Sequence, residues 1–309
     1  MRPSVRHFLR LSDWSPAALT SLLDAARQLK RQPTPRSQPL RGQVLGLLFQ
    51  KPSMRTRVSF EVGMLQLGGQ ALYLGPQDLQ WGVREPIKDV ARVLSRYVDG
   101  IVVRTFAHND VEAFAQYATV PVINGLSDLT HPCQALGDLL TIREHLGRLR
   151  GVRVAYIGDG NNVLHALLEG CALMGLPLTY ATPRGCAPQP AVVSVARRLA
   201  QRTGVRVVGS HDPRQAVRGA DVVYTDVWTS MGQEAHAQRR RRAFRGFTLS
   251  PALLAHARRQ ALIMHCLPAH RGEEITDEAM ESRRAVIFDQ AENRLHAQKA
   301  LLVRLLKRG

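Results

Sequence analysis

Only four cysteines occur in 309 residues, at 133, 171, 186 and 266. None forms a CxxC pair, which excludes a disulfide scaffold and argues against a cysteine zinc site. Reduced thiols in a cytosolic protein are the better reading. Aromatics make up only 6% of the chain, and lysine is confined to positions 30, 51, 88, 299 and 307. No apolar stretch reaches the ~20 residues of a bilayer-spanning helix. The N-terminal MRPSVRHFLRLSDWSP has no apolar signal core, since Ser12 and Asp13 interrupt it early. The expectation is a cytoplasmic protein, or the mature form of an imported one, with no membrane partner. Tandem repeats and low-complexity tails are also missing.

Arginine is what the chain has in excess, and it supplies nearly all of a formal charge of +17. One reading is a nucleic-acid binder; the other is a compositional bias toward arginine with anionic small-molecule substrates. A nucleic-acid binder should cluster its charge among stacking aromatics. Here the arginines are spread along the chain, and the one dense run, Arg239 to Arg242, reads as a solvated face. The second reading is favoured, with no specific nucleic-acid partner.

A length of 309 residues suggests two domains of roughly 150 residues each. Ser15-Pro16 opens a helix with a serine cap and a first-turn proline. Short apolar runs then alternate with segments of 3.6-residue spacing. The strand-like runs are 45–49, 71–74, 100–104, 120–125, 152–158, 178–182, 205–209, 221–227, 261–267 and AVIFDQ at 285–290. Strand–helix alternation predicts βαβ units, hence an α/β chain of two doubly wound domains with parallel sheets. HPCQALGDLLTIREHLGRLRG ends one series and VRVAYIGDGNN starts another, so the expected domains are 1–148 and 149–309. A last helix, roughly 291–307, is expected to pack back on the first domain.

Ligands of open α/β sheets bind beyond the carboxyl ends of the strands. The turn KPSMRTR follows the first apolar run and puts Ser53, Met54, Arg55, Thr56 and Arg57 at a helix start. There free N–H groups, hydroxyls and guanidinium forks suit an anion. The alternative is a serine cap with arginines facing water. Arg104 ends GIVV, where a buried charge needs an anionic partner. In His131-Pro132-Cys133-Gln134 the first and last residues share a face if Pro132 opens a helix. Such a pair could polarise a carbonyl and recognise an NH2 group, although His-Pro alone is more often a plain turn. Gly158-Asp-Gly160-Asn161-Asn162 lacks the third glycine of a dinucleotide fingerprint, since position 163 is Val. NAD is therefore discounted, and the asparagines are read as side-chain or substrate ligands. The strand end at Asp226, followed by Trp228, Ser230, Met231 and Gly232, suits a cationic or zwitterionic ligand. His265-Cys266-Leu267-Pro268 lies at another strand end, where an isolated cysteine is more often a core thiol. Asp289 to Arg294 precedes the last helix.

The joint order SxRTR, HPxQ, GDGNN, DxWxSMG, HCLP and ENR resembles the aspartate/ornithine carbamoyltransferase family. The first two motifs are shared across it, while DVWTSMG with HCLP marks the ornithine branch. The resemblance runs from about residue 6 to the C-terminus. It implies transfer of the carbamoyl group of carbamoyl phosphate to the δ-amine of L-ornithine, with no cofactor and no metal, by a homotrimer or a multiple of trimers. By similarity, Ser53, Met54, Arg55, Thr56 and Arg104 hold the phosphate, and His131 and Gln134 the carbamoyl end. Gln80 matches a glutamine supplied to a neighbouring subunit. Asn162, Asp226, Ser230 and Met231 bind ornithine, and Cys266, Leu267 and Arg294 complete the junction between the ligands. Cys266, Asp226, Arg104, His131 and Thr56 are the implied catalytic set. Met54 stands where the family often has Thr, a swap that a backbone role tolerates. Gly82 to Glu85 lacks a second glycine common in relatives.

Overall fold

The computed structural model describes residues 6–32, 36–78, 81, 84–229 and 237–307. Nine strands are present among them: β1 (Val44–Phe49), β2 (Gln70–Leu74), β3 (Gly100–Arg104), β4 (Val122–Leu126), β5 (Val154–Ile157), β6 (Leu178–Ala181), β7 (Val207–Ser210), β8 (Val222–Thr225) and β9 (Leu262–His265). The first helices are α1 (Pro16–Arg31), α2 (Met54–Gln66), α3 (Ile87–Leu94), α4 (His108–Tyr117), α5 (Pro132–Leu146) and α6 (Asn162–Met174). They are followed by α7 (Pro190–Thr203), α8 (Pro213–Val217), α9 (Ala237–Ala243), α10 (Pro251–Leu254), α11 (Asp277–Met280) and α12 (Ile287–Leu306). Two compact units result: Met1–Leu140 with Asn293–Gly309, and Thr141–Glu292.

The first unit holds a four-stranded parallel sheet in the order β2-β1-β3-β4. The strands read as near-continuous apolar runs because helices cover both faces of such a sheet; every residue of β3 is buried. Phe8 adds a single parallel bridge beside β4. In α1 the Ser15 hydroxyl accepts the Ala18 N–H at 3.2 Å, and Leu19, Leu22, Leu23 and Ala26 form the buried stripe. Each leucine so buried contributes about 1.5–3 kcal/mol. The C-terminal helix closes this unit. Lys299 Nζ donates to Gln66 Oε1 at 2.7 Å, Gln43 Nε2 to the Leu306 carbonyl at 2.8 Å, and Lys30 Nζ to Asn293 Oδ1 at 2.8 Å.

The second unit holds a five-stranded parallel sheet, β7-β6-β5-β8-β9. Both sheets and the returning helix match the α/β architecture expected from the strand–helix alternation. One expected strand is absent. AVIFDQ makes only the single bridge Ala285–Ile263, and the chain enters α12 at Ile287. A four-residue apolar run cannot distinguish a buried strand from a helix turn by periodicity. The side chains decide: Ile287 is buried, Phe288 is 64% exposed, and buried Gln290 serves the His265 N–H and the Tyr224 hydroxyl.

Candidate active site

In the first unit, parallel strands aim their carboxyl ends at the start of α2. Ser53 caps that helix: its Oγ accepts the Thr56 N–H at 3.3 Å and its hydroxyl donates to Thr56 Oγ1 at 3.2 Å. With the Thr56 N–H taken and the Arg57 N–H bonded to the Ser53 carbonyl, the Met54 and Arg55 N–H groups are the ones left to an anion. Arg294 Nη2, from α12, donates to Thr56 Oγ1 at 2.9 Å. The Thr56 oxygen thus accepts twice, and its own proton is the one it has to offer a ligand.

Arg104 is 8% exposed and donates to the Lys51 carbonyl at 3.2 Å. Burial, reinforced by the nearby guanidinium groups of Arg294 and Arg55, pushes it down to about 9. Burial, then Arg294, Arg104 and Arg55, hold buried His131 well below the usual imidazole range, so it is neutral. His131 Nδ1 is a buried atom with no hydrogen-bond partner among the described residues. Gln134 commits its Nε2 to Asp138 Oδ1 at 2.8 Å, leaving Oε1 as its acceptor. Arg104 and His131, both buried and both lowered beside neighbouring guanidiniums, call for an anion.

The remaining charges of the turn separate from this cluster. Arg57 is ion-paired to Glu61 at 2.9 Å and stacks over Tyr73, so it supports the outer face of α2. Met54 is 70% exposed. Its side chain takes no part in the cradle. Lys51, the first cation of the KPSMRTR turn, is buried with its Nζ 4.1 Å from the Phe106 ring centroid.

A stability prediction follows from His131. Its folded proton affinity lies below the unfolded value of about 6.5. The stability it permits is present above that value and is lost as pH falls through the folded pKa. Thermal denaturation from pH 7.5 down to 5 should show a larger loss for the wild type than for His131→Asn; equal losses would refute the assignment.

In the second unit the focus is Asp226, just beyond β8. It is buried, and its Oδ1 accepts the Val227 N–H at 2.8 Å and the Cys266 Sγ–H at 2.9 Å, while Oδ2 accepts from Asn161 Nδ2 at 2.6 Å. Asn161 does double duty, since its Oδ1 also caps α6 through the Val163 and Leu164 N–H groups. Asn162 is the first residue of that helix and partly exposed. A Cβ at Gly160 would lie 2.2 Å from Pro188 N, so close packing of the 187–188 backbone accounts for this glycine without a dinucleotide.

Cys266 and Leu267 follow β9. His265, fully buried, donates from Nε2 to Glu274 Oε1 at 3.0 Å and accepts the Leu267 N–H on Nδ1 at 2.8 Å. Asp226, His265 and Cys266 lie close enough to share a metal ion, as do His270, Glu273 and Glu274. Both His265 nitrogens are already committed, however, and Glu273 is ion-paired to Arg241 at 2.7 Å. The basic run is partly committed to the protein: Arg240 pairs with Asp159 at 2.6 Å and exposed Arg241 with Glu273. Two of its four charges are therefore neutralised on the protein, which weakens the nucleic-acid reading. Gln80, Ser230 and Met231 lie outside the described residues. Glu274 was not singled out in the sequence, because the pair Glu273-Glu274 after Arg271-Gly272 reads as a solvated turn; the Asp226 partnership of Asn161 was equally hidden.

Residues 6–144 match the model of the aspartate/ornithine carbamoyltransferase carbamoyl-P binding domain, and residues 150–305 that of the Asp/Orn binding domain. The ornithine carbamoyltransferase of Gloeobacter violaceus is 56% identical over 298 residues, covering 96% of this chain and 95% of that protein. The anabolic ornithine carbamoyltransferase of Pyrococcus furiosus is 52% identical over 299 residues, covering 96% and 95%. The solved structure of ornithine carbamoyltransferase from Pyrococcus furiosus superposes with a TM-score of 0.95 at 51% identity, covering 98% of this chain and 97% of that one.

Proposed function

The chain belongs to the aspartate/ornithine carbamoyltransferase family, and from that membership we propose how its two residue clusters act. It transfers the carbamoyl group of carbamoyl phosphate to the δ-amine of L-ornithine, giving L-citrulline and phosphate. The single observation that carries the site reading is the cluster of buried Arg104 and Arg294 with half-buried Arg55 around neutral His131.

Carbamoyl phosphate is held with its phosphate on the Met54 and Arg55 N–H groups and the Arg55 and Arg104 guanidiniums, and on Ser53, whose hydroxyl turns from Thr56 Oγ1 to the phosphate. Helix start, dipole and fork geometry all favour a dianion there. Its carbonyl oxygen takes the Thr56 hydroxyl proton and Arg104, while a neutral His131 fixes the carbamoyl group by hydrogen bonding. Gln134 Oε1 accepts from the carbamoyl NH2. Arg294, through its bond to Thr56, sets the direction of that hydroxyl.

Ornithine is recognised by Asn162, Asp226, Ser230 and Met231, with Cys266 and Leu267 beside its reacting end. The δ-amine must be neutral to attack, whereas free amines of this kind have pKa values of about 10. Asp226, its carboxylate held by three donors, takes up the ammonium and, as the positioned base, accepts the first of its two departing protons, leaving a neutral amine. A C–N bond forms to the carbonyl carbon, the C–O bond to phosphate breaks, and the departing phosphate receives the second proton of the attacking nitrogen. The oxyanion formed on the way is met by Thr56, Arg104 and His131. Orientation and preorganised charge supply the rate.

The working unit is a homotrimer, or a multiple of trimers, in the cytoplasm. Four cysteines outside any disulfide fit a reducing compartment. Exposed Met54, Val58 and Leu65 on α2 and Leu72 on the edge strand β2 form an apolar surface that fits a second copy of the chain. Gln80 follows β2, and its role is in the site of the neighbouring subunit. Leu65→Glu should shift the sedimentation profile from trimer to monomer and lower activity; a trimer of unchanged size would sink this interface.

The direct test is citrulline formation from ornithine and carbamoyl phosphate, with putrescine and N-acetylornithine as competing amines. Preferential use of either competitor would overturn the ornithine assignment. Arg55→Ala should raise KM for carbamoyl phosphate by roughly 10- to 100-fold, the worth of charge-assisted bonds to phosphate. An unchanged KM would refute the phosphate role of α2.

A further inference from the structure

We propose that Glu274 and His265 are positioning residues that fix the backbone of Cys266-Leu267 through the tautomer of the His265 ring. The inference rests on the reading of Cys266 and Leu267 as substrate contacts. Leu267 has a φ of 59°, in the left-handed region that a branched side chain rarely enters. Something must hold it there, and its own N–H shows what: that group donates to His265 Nδ1 at 2.8 Å. Nδ1 can accept only if it carries no proton, so the ring proton of the neutral imidazole has to sit on Nε2. Glu274 Oε1 accepts that proton's hydrogen bond at 3.0 Å.

Glu274 is in turn fixed by the His270 N–H, which donates to the same Oε1 at 2.6 Å. His265 is fixed at the other side, where its N–H donates to Gln290 Oε1 at 2.9 Å. Both side chains are 0% exposed. Burying a carboxylate and an imidazole is costly unless both are bonded. Here the donors run in one direction, from a strained backbone amide through the ring to the carboxylate. The bend they hold is the one that brings Cys266 Sγ within 2.9 Å of Asp226. This relay orients a binding segment in the way that an outer carboxylate orients a catalytic imidazole, without touching substrate itself.

Steady-state kinetics on folded variants provide one test. Glu274→Ala removes the acceptor and frees the ring to take the other tautomer. It should lower kcat by about 100-fold, the cost of misplacing a reacting group, with KM for carbamoyl phosphate within about threefold of wild type. Glu274→Gln keeps an oxygen acceptor and should recover most of kcat. His265→Asn places an oxygen near the position of Nδ1 and should exceed His265→Phe, which has no acceptor. A kcat for Glu274→Ala within about threefold of wild type, or equal kcat values for the alanine and glutamine variants, would overturn the relay. Neutron diffraction on the wild-type protein tests the tautomer without any variant: deuterium on Nε2 is expected, and deuterium on Nδ1 refutes the proposal even if the variants fail to fold. The two readings fail separately. A wild-type protein that makes no citrulline defeats the ornithine assignment while leaving the ring tautomer as an independent result.

Discussion

Arg104→Met is expected to lower kcat/KM for carbamoyl phosphate by roughly 10²- to 10³-fold, the usual loss of one oxyanion donor, and yet to raise the melting temperature of the ligand-free protein. Methionine approximates the volume, so the change is mainly in charge. The Arg104 guanidinium is pushed down to about 9 by burial and then by Arg294 and Arg55. Because the folded value lies below the unfolded one, the folded state binds this proton less tightly. The charge therefore opposes folding at every pH below about 9 and is relieved only as pH rises from there toward the unfolded value. At neutral pH the penalty is on the order of a few kcal/mol, as for other uncompensated buried charges. An anion in the cradle supplies the missing partner. Inorganic phosphate should consequently raise the melting temperature of the wild type more than that of Arg104→Met. A variant that is less stable without ligand and gains just as much from phosphate would remove Arg104 from the anion site.

Asp226→Asn should lower kcat by roughly 10²- to 10⁴-fold, the range for removing a positioned proton acceptor, while KM for carbamoyl phosphate changes by less than about threefold. The phosphate-binding residues all belong to the first unit, so an effect confined to ornithine kinetics is the expected signature. Stability should fall too, by about 1–3 kcal/mol. The new amide turns a donor toward Asn161 Nδ2, which now donates to Asp226 Oδ2 at 2.6 Å. Pairing it with Asn161→Asp restores an amide–carboxylate bond with the charge on the other residue, and an aspartate still caps α6. The double variant should regain stability and remain slow. Recovery of activity along with stability would show that Asp226 acts only by shape.

Much of this molecule is legible in its sequence because parallel strands buried on both faces are almost purely apolar, and nine of the ten such runs are strands. AVIFDQ misleads because four apolar residues carry no period, and only tertiary partners such as the bond from the His265 N–H to Gln290 settle its state. In the turn after β1, sequence chemistry identifies an anion site but cannot apportion its arginines. Arg55 and Arg57 differ by two positions on a helix, which places them on opposite sides, one toward the cations and one on Glu61. Glu274 is illegible for a different reason. A carboxylate next to another carboxylate in a Gly-containing turn looks solvated, and only the folded chain shows that one of the two is sealed beneath His265.

The last helix has a consequence for synthesis. Residues 44–140 make the first sheet and most of the phosphate cradle, yet the segment that closes their unit, from Asn293 onward, is translated only after the whole second unit. Until it arrives, Gln43, Gln66 and the Thr56 hydroxyl lack their partners Leu306, Lys299 and Arg294. Domains generally fold as units in the order they are made; here the first to be started is the last to be finished. A nascent chain arrested before residue 293 should therefore hold a folded second unit and an incomplete anion cradle, so the ability to bind carbamoyl phosphate is acquired only after the second unit has been made.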